Sequence, residues 1–336
     1  MTCRFTVTLT ILLTWTCQAA AQPAGLPVEP PPPADATQQT SAAFAIRVGD
    51  EVVPYPVFGI YVMPGEQRAI QAVLQTEPSR FEVTASDGTL RPPAPDDSAT
   101  DAGIWTWTAP DRPGAQTVTI QRQPDGALIT LHALVMTPAS QVQQGRLNGF
   151  RVGHYPDKPL NGRAIYAAPQ GFVEVTAETA ALRVSPHFQL GEFVAKQVGG
   201  FPKYVVLRER LLLKLEMIVE QLADAGYQAS GLHIMSGYRT PYYNRSIGNV
   251  PYSRHVWGGA ADIFVDEAPR DGMMDDLNGD GRINTADARV IYDLINELST
   301  ERWYQPFIGG MGLYGPKPGI RGPFVHVDVR GYRARW

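Results

Sequence analysis

Ser253-Arg254-His255-Val256-Trp257-Gly258-Gly259-Ala260-Ala261-Asp262-Ile263-Phe264-Val265 sets a histidine and an aspartate seven residues apart, with two glycines and two alanines between them. Glycine lets the backbone fold back on itself, so an imidazole on a loop and a carboxylate on the following strand can converge on one ion. A third partner comes late in the chain, in Phe324-Val325-His326-Val327-Asp328-Val329-Arg330. That run alternates, so its even-numbered residues share one face of a strand and His326 and Asp328 point the same way. Two neutral imidazoles and one carboxylate, with a fourth position left to water, are the ligand set of a catalytic zinc site. Zinc is therefore expected on His255, Asp262 and His326. Asp328, one pleat repeat beyond His326, is the candidate general base. A second reading has it orienting the ligand histidine from behind.

Upstream of this stretch, Leu207, Leu211, Leu215, Ile218 and Leu222 recur at helical spacing and the pattern stops near Gly226, which predicts a core-facing helix. Leu232-His233-Ile234-Met235 reads as a strand that delivers the chain to Ser236-Gly237-Tyr238-Arg239. Downstream, Asp276, Asn278, Asp280, Arg282, Asn284 and Asp287 fall at the alternating positions of a calcium loop, with Gly281 at the sharp bend. Oxygen ligands so spaced suit a hard cation, and calcium is expected there as a structural clip. Position twelve is Asp where EF-hands carry Glu, so the loop resembles dockerin loops. Val290, Ile291, Leu294, Ile295 and Leu298 predict an exiting helix, whereas Pro269 and Gly272 stand where an entering helix would be.

Three segments together, Ser236-Gly237-Tyr238-Arg239-Thr240-Pro241, Ser253-x-His255-x-x-Gly258-x-Ala260-x-Asp262 and His326-Val327-Asp328, resemble the zinc D-alanyl-D-alanine carboxypeptidase family, whose fold is shared with Hedgehog signalling domains. The resemblance covers roughly residues 180 to 336, and Ser185-Pro186-His187-Phe188 with Gly191-Glu192-Phe193 resembles the lead-in of the murein-endopeptidase branch. It implies an α+β catalytic domain over residues 181–336, an antiparallel sheet with helices, and hydrolysis of peptide bonds in peptidoglycan. It also implies that His255, Asp262 and His326 hold the metal and that Arg239, with Ser253, engages the substrate. A guanidinium fits a carboxylate in a bidentate fork, as at a peptide C-terminus or a diaminopimelate side chain. Several relatives place a Glu or a His shortly before the last ligand, and this chain has Arg321 and Phe324 upstream of His326 instead. That departure keeps open an alternative, a catalytically inactive wall-binding module of the same fold.

Toward the N-terminus, Phe44-Ala45-Ile46-Arg47-Val48, Phe81-Glu82-Val83, Trp105-Thr106-Trp107 and Val118-Thr119-Ile120 alternate as half-buried strands do. Turn pairs such as Pro64-Gly65, Asp87-Gly88 and Asp125-Gly126 punctuate them. Residues 44–138 are read as an all-β sandwich, and the Trp105 to Gly114 stretch resembles bacterial immunoglobulin-like domains. Trp105 and Trp107 share one strand face, either as a core pair or as a stacking surface for glycan. Residues 139–180 connect the two parts. Residues 22–43, with Pro30 to Pro33 consecutive, read as an extended linker. Residues 1–21 read as a cleaved signal peptide, with Arg4, an apolar run from Phe5 to Trp15, and Ala19-Ala20-Ala21. An exported, periplasmic protein follows, with lipid modification at Cys17 as the alternative.

The bulk numbers agree with that reading. A chain of 336 residues with 44% hydrophobic content can build cores for two domains. A net charge of −4, with 18% charged residues, offers no basic field for nucleic acid. No apolar run approaches the ~20 residues of a spanning helix, so a membrane-spanning enzyme is not expected. Cys3 and Cys17 both fall in the predicted leader, which removes cysteine nucleophiles and thiolate ligands from the mature chain. No Ser-x-x-Lys, G-x-S-x-G or H-E-x-x-H pattern occurs, which argues against serine peptidases and zincins.

Overall fold

Alternation and helical spacing set the secondary structure much as the sequence predicts, in a computed structural model that describes residues 41–73, 79–93 and 103–336. The signal peptide, nearly all of the proline-rich linker, and Cys3 and Cys17 lie outside the described residues.

The described residues between 44 and 135 form two sheets. A five-stranded sheet runs in the order Glu51–Val53, Ala45–Val48, Gln67–Val73, Ile104–Thr108, Thr89–Arg91. A four-stranded sheet runs Val57–Val62, Leu128–Val135, Gly114–Gln123, Arg80–Ala85. Every pairing is antiparallel except that of Val57–Val62 with Leu128–Val135, which is parallel. Ile46, Ile70 and Trp107 from one sheet and Phe58, Val118 and Leu131 from the other are fully buried in one apolar cluster. Trp107 is a core residue whose indole N–H donates to Asp87 O at 2.9 Å, so the stacking-surface reading does not hold for it. Trp105 sits partly buried, edge-on to Phe81.

The same apolar cluster continues without a break into the C-terminal half. The helix Glu209–Asp224 packs Leu211, Leu212, Leu215, Ile218 and Leu222 into it. At its first turn Glu209 accepts a hydrogen bond from Tyr61 N at 3.2 Å, and Arg210 pairs with Glu51 at 2.7 Å. The connecting region is therefore not a bare tether: Thr137–Pro138 pairs with Gly171–Val175, which pairs with Lys203–Val205.

The sheet that carries the chemistry has the order His233–Ser236, Ala260–Phe264, Phe324–Asp328, Gly310–Tyr314, Ala334–Arg335. The first four strands are antiparallel neighbours and the last pairs in parallel with Gly310–Met311. Ala260–Phe264 and Phe324–Asp328 are buried along their whole length, their polar members Asp262, His326 and Asp328 included. Their register places Asp262 directly opposite His326. The calcium-loop segment leads into the helix Thr285–Leu298, on which Ala288, Ile291 and Ile295 are buried. No helix precedes the loop, as Pro269 and Gly272 foretell.

Candidate metal centre

His255 reaches the sheet from a single turn, Arg254–Trp257, whose cap Gly258 has φ 62°. A Cβ at Gly258 would stand 2.1 Å from Val206 O, so only glycine lets the chain turn here and run straight into Ala260–Phe264. The ring of His255 is fixed by Nδ1–H donating to Gly237 O at 2.6 Å, which leaves Nε2 as the lone-pair nitrogen. On the neighbouring strand the tautomer is reversed. His326 directs Nε2–H at Asp328 Oδ2, 3.2 Å away, and leaves Nδ1 facing inward. Asp262 divides its carboxylate: Oδ2 accepts from the Arg239 guanidinium at 2.5 Å while Oδ1 faces both imidazoles.

Three lone-pair atoms thus meet. His255 Nε2 lies 3.2 Å from Asp262 Oδ1 and 3.1 Å from His326 Nδ1, and His326 Nδ1 lies 2.9 Å from Asp262 Oδ1. Among the described residues these side chains form the group of three whose ligating atoms all lie within 4.8 Å of one another. Acceptors packed so closely need a proton or a cation between them, and each back atom is tied to protein in the manner of metal ligands. The donor set fits zinc.

The electrostatics agree. Burial depresses the His255 pKa, against the pull of Asp262, and so keeps that ring neutral. Burial also works against a charged His326, but hydrogen bonds and charge from Asp262 and Asp328 outweigh it and raise its pKa. Asp262 stays ionised: burial opposes its charge, yet the two histidines hold its carboxyl well below the usual range.

The expected site residues take distinct places. Arg239 donates Nε to Ser236 Oγ at 2.9 Å as well as bonding Asp262, so it braces the ligand carboxylate while still lining the cleft. Ser253 precedes the His255 turn and lines the same cleft of about 450 Å³. Asp328 does not face that cleft. It is fully buried, and it accepts from Gly310 N at 2.8 Å, from Arg330 N at 3.0 Å and from the Arg330 guanidinium. A carboxylate so engaged has no free lone pair for a water proton. Burial would raise its pKa, but His326 and Arg330 hold it far down, so the geometry assigns it the orienting role rather than that of the base.

Sequence reasoning missed Tyr314 and Trp336, which wall the cleft. Trp336 Nε1 donates to the Tyr314 hydroxyl at 2.6 Å, and the indole lies 5.2 Å from the His326 ring. No motif marks either one. The available signal is register: Gly312 lies opposite His326 and carries no side chain, which makes room for the indole.

The calcium-loop residues fold as a tight turn. Asp276 accepts from Gly279, Asp280 and Gly281 N, and Asp280 accepts from Arg282 N. Asn278 accepts from Asp280 N. Asn284 and the buried Asp287 form the capping box of the helix Thr285–Leu298, a structural use that needs no ion. The other histidines have protein roles or none: His132 binds Arg183 O, His187 pairs with buried Glu216, and His233 stacks on Phe264. His154 has no such partner and reappears below.

Residues 186–278 match the family model Peptidase M15. The match supports an M15 zinc-peptidase domain in the C-terminal half, and the mixed α/β architecture with few helices is compatible with it. His255 and Asp262 lie inside the matched span, and His326, beyond it, is brought to them by the sheet register. The match supports a peptidase, and the family's zinc dependence agrees with the buried His-Asp-His group. No curated protein and no solved structure matched the chain. Among the described residues no helix is long and apolar enough to cross a membrane.

Proposed function

We propose that the protein is a zinc peptidase that hydrolyses peptide bonds in peptidoglycan, in stem peptides or in their cross-links. The observation that carries this is the convergence of His255 Nε2, Asp262 Oδ1 and His326 Nδ1, with every outward-facing ligand atom braced by protein. Zinc held there would bring its water toward a pKa of ~7 and polarise the scissile carbonyl. The chain's own groups supply the rest. Asp328 and Gly237 fix the two rings, and Arg239 fixes the carboxylate. The Tyr314 hydroxyl, which accepts from Trp336, is free to donate its own proton to an oxygen developing charge in the cleft. Arg239, Arg254 and Arg330 line the cleft. Arg239 is paired with Asp262 and Arg330 with Asp328, whereas Arg254 has no carboxylate partner among the described residues, and that surplus of positive charge favours an anionic substrate such as one with a free carboxylate.

In this reading the chain is exported to the periplasm, the N-terminal sheets are an immunoglobulin-like module that positions the peptidase, and the loop 276–287 binds calcium. Digestion of purified murein by zinc-loaded protein, with His255→Ala as control and mass spectrometry of the released muropeptides, tests the activity. Wild type that releases nothing beyond the control would sink it. A second reading, a wall-binding module without turnover, is favoured by one observation. Asp262, already a ligand, is the carboxylate of the cleft, and Arg321 stacks at 4.5 Å on Phe324 just upstream of the last ligand. Murein that sediments with the protein yet stays uncut would support it.

A further inference from the structure

Beside the metal cleft lies a second one of about 310 Å³, walled by His154 and Asp157 from the connecting region and by Asn244 and Arg245 from the helix Pro241–Ser246. Asn249 lines both clefts, so they adjoin. The two differ in how their charges are spent. In the metal cleft Arg239 is bound to Asp262 and Arg330 to Asp328. In the second cleft His154, Asp157 and Arg245 are exposed, and their side chains make no ion pair or hydrogen bond with other described residues.

Asn244 adds an independent sign. It is 2% exposed, and Nδ2 donates to Val250 O at 2.9 Å, which fixes the orientation of the amide. Its Oδ1 is left buried without a partner. Buried polar atoms are nearly always paired, and a carbonyl oxygen at this place calls for an N–H.

An uncommitted guanidinium and an uncommitted carboxylate in one small cleft, beside a buried amide oxygen that lacks a partner, suit a ligand that carries an anion and a cation close together. Arg245 fits a carboxylate in its fork, while Asp157 accepts from an ammonium. We propose that this cleft is a subsite for a zwitterionic amino-acid branch of the peptide being cut, which places that branch next to the scissile bond. The proposal rests on the peptidase reading and narrows its substrate. Within stem peptides the free end of a diaminopimelate residue has this chemistry, whereas a lysine at the same position lacks the carboxylate.

Two stem peptides that differ only in diaminopimelate versus lysine test it, with wild type, Arg245→Ala and Asp157→Asn. Both substituted residues are exposed and outside the metal centre, so folding and zinc content are expected to be unchanged. The expected result is a rise in KM of about tenfold or more for the diaminopimelate peptide in Arg245→Ala, the loss of one charge-assisted pair, with a smaller rise in Asp157→Asn. In Arg245→Ala, KM for the lysine peptide and kcat for both stay as in wild type, whereas Asp157→Asn raises KM for both peptides, because the lysine ammonium makes the same contact. Unchanged KM values, or equal rises for the two peptides in Arg245→Ala, overturn the proposal. If wild type cuts neither peptide, it is the peptidase reading that fails. Calorimetric titration of the diaminopimelate peptide then judges the cleft alone: binding weakened by Arg245→Ala supports it, and equal binding or none overturns it.

Discussion

Asp328 Oδ2 stands 3.2 Å from His326 Nε2, on the far side of the ring from the Nδ1 that faces Asp262. The carboxylate thereby selects which nitrogen carries the proton and which is left for the metal. Its other bonds, to Gly310 N and to Arg330, hold it rigid while it does so.

Asp328→Asn is accordingly expected to weaken zinc binding about 10- to 100-fold, because an amide cannot satisfy His326, Gly310 and the Arg330 fork together. Chelator competition measures the affinity, and kinetics at saturating zinc separate the roles. A variant that holds zinc as tightly as wild type but has lost kcat would return Asp328 to the position of general base.

How much of this was legible beforehand follows from what each residue's role depends on. His255 and Asp262 share one local motif, and the glycines between them announce the turn. His326 was legible because strand alternation is local too. The task of Asp328 was not, since alternation says that it shares a face with His326 but not that Arg330 and Gly310 close over it. Arg239 was found as a substrate group, yet its bond to Asp262 arises only when His233–Ser236 pairs with Ala260–Phe264. Tyr314 lies at the end of one strand and Trp336 just after another, and the neighbours of both strands are set by tertiary pairing alone. The connecting region carried no motif, and its place beside the helix Pro241–Ser246 is visible only in the folded chain.

Lys214, on the buried helix, donates Nζ to the backbone oxygens of Asp328 at 2.9 Å and Phe307 at 3.0 Å. Burial pushes its pKa down to about 7 from 10.5, against the attraction of Asp328. The folded-state value lies below the unfolded one, so between pH 7 and 10.5 the unfolded chain binds the extra proton and stability rises with pH. Below that window the full cost of burying the charge is present. Lys214→Met should remove this slope, while it costs about 1–3 kcal/mol for each carbonyl left unpaired. Melting temperatures at neutral and alkaline pH check it: wild type gains on the variant as pH rises, and a constant gap would mean that Lys214 titrates as an ordinary lysine.

For the loop 276–287, calcium at millimolar concentration is expected to raise the melting temperature, with the rise abolished in Asp280→Ala. Asp280 is the better test than Asp287, because removing Asp287 also breaks the capping box of the helix Thr285–Leu298, worth about 0.5–2 kcal/mol without any ion. Calorimetry that detects no calcium binding to wild type leaves the loop as a turn and cap.

Gly312 offers a way to move Trp336 without touching it. A Cβ built there would meet Trp336 Nε1 at 2.4 Å and Tyr314 Cε2 at 2.8 Å, closer than real contacts allow. The main chain cannot yield easily, because Gly312 sits in the strand between Phe324–Asp328 and Ala334–Arg335. Gly312→Ala should therefore expel the indole from beside His326 and break its hydrogen bond to Tyr314. Zinc affinity should stay near that of wild type, since none of the atoms bracing the ligands is displaced. Activity should fall about tenfold or more in kcat/KM, with the Tyr314 hydroxyl no longer held toward the cleft. Trp336→Phe is the companion variant, because it keeps an aromatic ring beside His326 while it removes the N–H together with one ring of the indole. If Gly312→Ala and Trp336→Phe both match wild type in kcat/KM, the Trp336–Tyr314 wall takes no part in the chemistry.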